Sequence, residues 1–329
     1  MIDDTYEIKT LMGHGGSSRV LRWITRDGTN YAVKVIKNDK KVIVKPGNIK
    51  WISQKFDQGK VERMLFKEYT ICEILKEHPN IVNCYESVIG GAMVIGQDVQ
   101  PVHYNVLEAC DNGALSRYVR YTGGFEENIA RLIFTQLVSA VIHMHDRNIA
   151  HFDIKLENIL LDEYYNSKIA DFGSAELMHS KDSSYWYKKG THSYMAPEVE
   201  ACVGKKTPFS PFKADIYSLG VCLHLLLFGE FPVAETVNDA ITFWSDDDMD
   251  TEHREKQFKN EEIFFKNTVS SDWADLLKSM IGKAPSGRAS ISQIAAHPWI
   301  LQETCISHHE FYQEFDSRKQ YIVALMADD

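Results

Sequence analysis

Long apolar runs are missing from this sequence of 329 residues. No stretch of 18 apolar residues occurs, so no transmembrane helix is expected. Cysteine is sparse and unpatterned: Cys72, Cys84, Cys110, Cys202, Cys222 and Cys305 form no C-x-x-C pair. That argues against a zinc site or a disulfide framework and for free thiols packed in a reducing compartment. Met1-Ile2-Asp3-Asp4-Thr5 lacks the apolar core of a secretory signal, Ile2 stands where N-myristoylation needs glycine, and Ala327-Asp328-Asp329 holds no prenylation cysteine. No membrane association is expected. The expected location is cytoplasmic, with nuclear entry left open. Positive charge is in deficit, and the net charge of −10 argues against a general nucleic-acid binder. His14, His103, His143, His145 and His308-His309 have no cysteine or carboxylate at metal-binding spacing. What is present, 44% apolar and 25% charged residues, is ordinary for a globular protein, and the length suits one large domain or two lobes.

The two ends of the chain differ in pattern. Tyr6 to Met12, Arg19 to Ile24, Tyr31 to Ile36, Ile81 to Ile89 and Val102 to Glu108 read as strands, and Asp27-Gly28 is a turn signal. Val61 to Lys76 has helical spacing and stops at His78-Pro79. After Asp111-Asn112-Gly113 helices dominate. Ile129 to His145 is amphipathic, Ile216 to Leu227 is apolar nearly all round and reads as buried, and Trp273 to Ile281 and Ile291 to Ala296 follow. The expectation is an α+β protein of two lobes: strand-rich residues 1–108, helix-rich residues 109–300, and a short tail of mixed charge over 301–329. Residues 245–262 read as a solvated loop or short helix.

Four groups of residues carry chemistry. Gly13-x-Gly15-Gly16-x-x-x-Val20 lies between two strands, where glycines let backbone N–H groups approach a phosphate. Lys34 sits mid-strand in Ala32-Val33-Lys34, a costly place for a cation without an anion beside it. A carboxylate on the following helix would hold it: Glu68 fits best, with Glu62 and Glu73 as alternatives. From His151 to Leu161 a polar cluster precedes an apolar run. There Asp153 can accept the proton of a hydroxyl, Lys155 can neutralise a moving phosphoryl group, and Asn158 offers an amide oxygen to magnesium. Asp171-Phe172-Gly173 adds a carboxylate for the same metal. Together these functions are what phosphoryl transfer from ATP requires.

The combination resembles the eukaryotic protein kinase family over about Tyr6 to Trp299, with Ala196-Pro197-Glu198, Asp215 and Arg288 also matching. The resemblance implies the bilobal kinase fold, use of ATP with Mg, and protein substrates. It implies an adenine pocket of Val20, Ala32, Leu160 and the hinge backbone at Glu108 and Cys110, with Leu107 at the gate. It also implies a Glu198–Arg288 pair, an Asp215 that steadies the catalytic loop, and His151 packed under Phe172. Asp153-x-Lys155-x-x-Asn158 resembles the serine/threonine pattern, as does Gly190 to Met195, with Thr191 reaching Asp153 and Lys155. Arg288 followed by Ile291 to His297-Pro298-Trp299 resembles the calcium/calmodulin-dependent and AMP-activated branch.

Three features depart from the family pattern. Phe152 replaces an arginine that in the family often pairs with an activation-loop phosphate, so activity without that phosphorylation is expected. Ser183, Ser184 and Thr191 stay as candidate sites. Ser18 replaces the third glycine of the phosphate loop. The interval from Lys34 to Glu68 is 34 residues and contains the basic stretch Lys37 to Lys60, which reads as a solvated insertion or as a docking segment for an acidic partner. Residues 301–329 are not a basic amphipathic helix, so regulation by calmodulin is not expected. Phe152 and Ser18 keep an alternative open, a catalytically impaired kinase fold acting as a scaffold or ATP-binding switch.

Overall fold

The computed structural model describes residues 7–14, 18–36, 40–45, 48–53, 58–95, 98–205, 207–232, 269–304 and 306–327. Residues 245–262 and Cys305 lie outside them. The chain is an α+β protein of two compact units, one of Met1–Gly113 with Asp171–Gly173, the other of Ala114–Ala170 with Ser174–Asp329.

The first unit is built on a five-stranded antiparallel sheet. Its strands are β1 (Glu7–His14), β2 (Ser18–Ile24), β3 (Asn30–Ile36), β6 (Cys84–Ile95) and β7 (Asp98–Glu108), in the order β1-β2-β3-β7-β6. The Asp27-Gly28 turn joins β2 to β3, with Gly28 at φ +89° and the Asp27 carboxylate accepting from Thr29 N at 3.1 Å. Leu21, Val33, Val35 and Val102 form a core with Trp23 and Tyr104 packed against it. Ile36 instead packs with Val61 and Leu65 of helix α1 (Gln58–Leu75). Val61, Leu65, Glu68, Cys72 and Leu75 are all buried, and their spacing of four and three residues makes one helix face. Between β3 and α1 the basic insertion holds an antiparallel strand pair, β4 (Lys40–Lys45) and β5 (Asn48–Ser53), a structure not expected from its composition. The β6–β7 hairpin also differs from expectation. It starts at Cys84, not Ile81, and runs on to Ile95 and Asp98. Asn83 ends the pairing at the near side, where its carbonyl accepts from Glu108 N at 2.9 Å and its side chain donates to the Glu108 carboxylate at 3.0 Å.

The second unit is helical: α2 (Leu115–Thr122), α3 (Glu127–Asp146), α4 (Pro197–Lys205) and α5 (Pro211–Phe228) are followed by helices Ser271–Met280, Ile291–Ala295 and His308–Ala327. By length and composition α5 is apolar enough to cross a membrane, yet 89% of it is buried, so it is the core helix that its pattern predicts. Ser210 caps its start ahead of Pro211, and Gly229 at φ +72° ends it.

Glu127 is a junction. It accepts from Ser270 N at 2.8 Å, Ser270 Oγ at 2.6 Å and Trp299 Nε1 at 2.7 Å, and pairs with Arg131 at 3.1 Å. Residues 301–329, expected as a tail, instead supply the helix His308–Ala327. Phe311, Phe315, Arg318 and Ile322 are buried. Phe315 stacks on Tyr165 at 5.1 Å and meets Tyr118 at 5.4 Å. Arg318 donates to Thr122 Oγ1 at 2.6 Å and to the carbonyls of Gly123 and Gly124 at 3.1 and 2.9 Å, satisfying groups beyond the end of α2.

Two outcomes follow. Phe315→Ala removes a fully buried ring and should destabilise the chain by about 3–5 kcal/mol in denaturant unfolding. Burial tends to raise the Glu127 carboxyl, but the bonds from Ser270, Trp299 and Arg131 outweigh it and hold the pKa below the ordinary 4.5. Its stabilising contribution is therefore present above pH 4.5 and lost as pH falls through the lowered value. Glu127→Gln should be less stable than wild type at pH 7, and the difference should shrink below pH 4.5. An unchanged difference across that range would contradict the assignment.

Candidate active site

Strand β3 positions the residues of the first unit. In-register partners, and alternate residues along a strand, share a sheet face. Val20 pairs with Lys34 and Ala32 with Leu107, so these four share one face. Gly13 pairs with Val20 and belongs to β1, while Gly15 and Gly16 lie outside the described residues. Lys34 is buried, and its Nζ donates to Glu68 Oε1 and Asp171 Oδ1, both at 2.7 Å. Of the alternatives, Glu73 pairs with Lys76, and no Lys34 contact involves Glu62. Burial draws the lysine pKa down, but Glu68 and Asp171 outweigh it and hold it above the ordinary 10.5, so Lys34 is a fixed cation. The Asp171 side chain is 52% exposed, on a backbone at φ +61°. For a non-glycine residue that conformation stores strain, which other contacts must maintain. Near the end of the first unit, Cys110 is buried and its carbonyl accepts from Gly113 N at 3.1 Å, while Arg22 pairs with Asp111.

The second unit holds the loop around Asp153. Asp215, buried on α5, accepts from His151 N and Phe152 N, both at 2.8 Å, and lies 3.1 Å from His145 Nε2. Asp153 N donates to His151 Nδ1 at 3.2 Å, which leaves the ring proton on Nε2, 3.1 Å from the Ala170 carbonyl. Thr191 Oγ1 donates to Asp153 Oδ1 at 2.7 Å and accepts from Lys155 Nζ at 2.6 Å, and Lys155 lies 3.0 Å from Asp153 Oδ2. A hydroxyl is thus already held between a carboxylate and an ammonium group. Asn158 Nδ2 donates to the Asp153 carbonyl at 2.9 Å and to Asp153 Oδ2 at 3.1 Å. That orientation turns its amide oxygen away from Asp153, as a donor suited to a hard cation. Leu160 lies on a short strand, Ile159–Leu161, paired with Ser167–Ile169.

Gly190, at φ +102°, lets the Thr191 segment approach the loop: a Cβ there would lie 2.3 Å from the Phe152 carbonyl oxygen. The lower end of the segment is anchored by Glu198, which accepts two bonds from Arg288 at 2.6 and 2.7 Å. Tyr194 lies within the Gly190 to Met195 motif without a role of its own in the sequence, and Ser218 lies outside every motif. Ser218 Oγ donates to the Tyr194 carbonyl at 2.8 Å, and the Tyr194 hydroxyl donates to Glu157 at 3.2 Å. A buried tyrosine needs a partner for its hydroxyl, but nothing local to Tyr194 names Glu157, 37 residues away.

The profile described as protein kinase domain matches residues 6–300. The chain is 32% identical over 304 residues to CBL-interacting serine/threonine-protein kinase 15 of Arabidopsis thaliana, covering 91% of this chain and 62% of that protein. It is 32% identical over 257 residues to serine/threonine-protein kinase ULK3 of Homo sapiens, covering 77% and 48%. With serine/threonine-protein kinase PLK4 of Drosophila grimshawi the identity is 30%, covering 91% and 34%. The chain thus spans between about a third and three fifths of the length of these relatives. The profile takes in both halves of the geometry above, from the strand of Lys34 to the pair of Glu198 and Arg288, and by that match the chain belongs to the protein kinase domain family.

Proposed function

We propose that this chain transfers the γ-phosphate of ATP to serine or threonine hydroxyls of proteins. The observation that carries the proposal is the Thr191 hydroxyl bridging Asp153 and Lys155. An acceptor hydroxyl entering the same environment would donate its proton to Asp153 as its oxygen bonds to the γ-phosphorus and the bond from phosphorus to the ADP oxygen breaks. Lys155 would offset charge on the transferred group. Lys34, kept in place by Glu68, would hold the α- and β-phosphates. Val20, Ala32, Leu107, Leu160 and the backbone at Glu108 and Cys110 would receive adenine, with Gly13, Gly15 and Gly16 over the phosphates. Asn158 and Asp171 offer the oxygen ligands that magnesium takes, and magnesium bound there would neutralise phosphate charge.

The similarity to three serine/threonine-protein kinases supports the serine/threonine assignment. Lys37 to Lys60 carries seven lysines against two aspartates, which supports its use as a docking segment for an acidic partner. Five cysteines are free and buried among the described residues, which favours a reducing compartment such as the cytoplasm.

The test is phosphate transfer from labelled ATP to a generic basic protein with magnesium. Wild type should label serine or threonine, and Asp153→Ala should lower turnover by roughly 10²-fold or more. Transfer unaffected by the substitution would sink the role of Asp153. If wild type shows no transfer while ATP still raises its melting temperature, the scaffold reading replaces this one.

A further inference from the structure

Three lysines lie on the segment that ends in Gly190-Thr191, and each has a carboxylate partner: Lys181 with Asp146, Lys188 with Glu200 and Lys189 with Glu176. Lys189 differs from the others in what surrounds it. Its ammonium lies 5.5 Å from the centre of the Phe152 ring and 5.3 Å from that of Tyr185. It also donates to the Ser174 carbonyl at 3.4 Å. The Tyr185 hydroxyl donates to the same Glu176 oxygen at 3.3 Å. Phe152 and Tyr185 are 4.7 Å apart, and Phe209 closes the cluster at 6.4 and 6.0 Å from them. Tyr185 and Phe209 also exchange backbone hydrogen bonds at 2.9 and 3.0 Å. The space among Phe152, Asp153, Lys189 and Thr191 is about 10 Å³, room for no more than one water.

Lys189 precedes Gly190-Thr191, whose hydroxyl touches Asp153 and Lys155. Phe152 precedes Asp153. One cation therefore joins the backbone carrying the base to the backbone carrying the hydroxyl. It does so through an ion pair and two cation–π contacts in a partly buried setting, where such contacts are stronger than at an exposed site. We propose that Lys189, with Glu176, Phe152 and Tyr185, is a positioning residue that holds the Thr191 segment over Asp153 without any covalent modification. A phosphate added to Ser183 or Ser184 would meet lysines already paired with carboxylates, so it has little to order. The proposal rests on the kinase reading above and explains how Phe152 is accommodated in an active enzyme.

The full chain is treated with phosphatase and compared as wild type, Lys189→Ala, Lys189→Arg and the charge-swapped Glu176→Lys/Lys189→Glu. Two readouts are taken: steady-state phosphate transfer, and amide hydrogen exchange across residues 176–195. Dephosphorylated wild type should keep its activity. Lys189→Ala should lower kcat about tenfold or more with nucleotide affinity unchanged, and should speed exchange in the segment. Lys189→Arg should restore both, and the swap should recover part of the loss. Loss of most wild-type activity on dephosphorylation, or wild-type kcat and exchange in Lys189→Ala, would overturn the proposal. Absence of transfer by untreated wild type would fall on the kinase reading instead. Exchange in Lys189→Ala would then still decide whether the brace exists.

Discussion

The carboxylate of Asp215 is the point on which the loop carrying Asp153 depends. It sits on a helix buried almost throughout and accepts the backbone N–H groups of two consecutive residues, His151 and Phe152. Two adjacent donors can converge on one carboxylate only if the chain bends sharply, and Phe152 takes φ +65° to do so. The bend directs the next residue, Asp153, toward Thr191 and Lys155. A charged acceptor can maintain such strain because its hydrogen bonds are stronger than those between neutral groups and because leaving it unsatisfied in the core would cost several kcal/mol.

The same logic recurs in other buried charges. Lys34 lies between Glu68 and Asp171, Arg288 between Glu198 and three backbone carbonyls, and Arg318 among Glu314, Thr122 and the carbonyls after α2. A buried ion pair adds little net stability, since desolvation offsets attraction, but losing one partner is strongly destabilising. Each pair therefore fixes a geometry more than it adds stability. Lys34 is held in place on the sheet, Arg288 anchors the base of the segment that carries Thr191, and Arg318 secures the C-terminal helix.

What the sequence made legible follows from where charge interrupts apolar pattern. Lys34 in an apolar strand and Glu68 in the buried stripe of α1 stand out for that reason, and the structure joins them. Asp153, Lys155 and Asn158 stand out as polar residues ahead of Ile159-Leu160-Leu161. The C-terminal helix was not legible: Phe311, Phe315 and Ile322 are separated by charged and polar residues, and what makes them core is the aromatic surface of Tyr118, Phe125 and Tyr165 far away in the chain. The strand pair in the basic insertion was hidden by its lysines. Lys189 carries no local signal in the sequence, since its partners Glu176 and Phe152 are non-local and Phe152 in place of arginine is only half of the arrangement.

If a buried carboxylate positions the loop carrying Asp153, Asp215→Asn is the most direct test. An amide cannot present two acceptor oxygens to the paired N–H groups, and the loop should lose the bend that directs Asp153 toward Thr191 and Lys155. Turnover measured beside nucleotide affinity and a folding probe should fall by roughly 10²-fold, with nucleotide affinity and the folded state retained. A folded Asp215→Asn chain that transfers phosphate at the wild-type rate would contradict it.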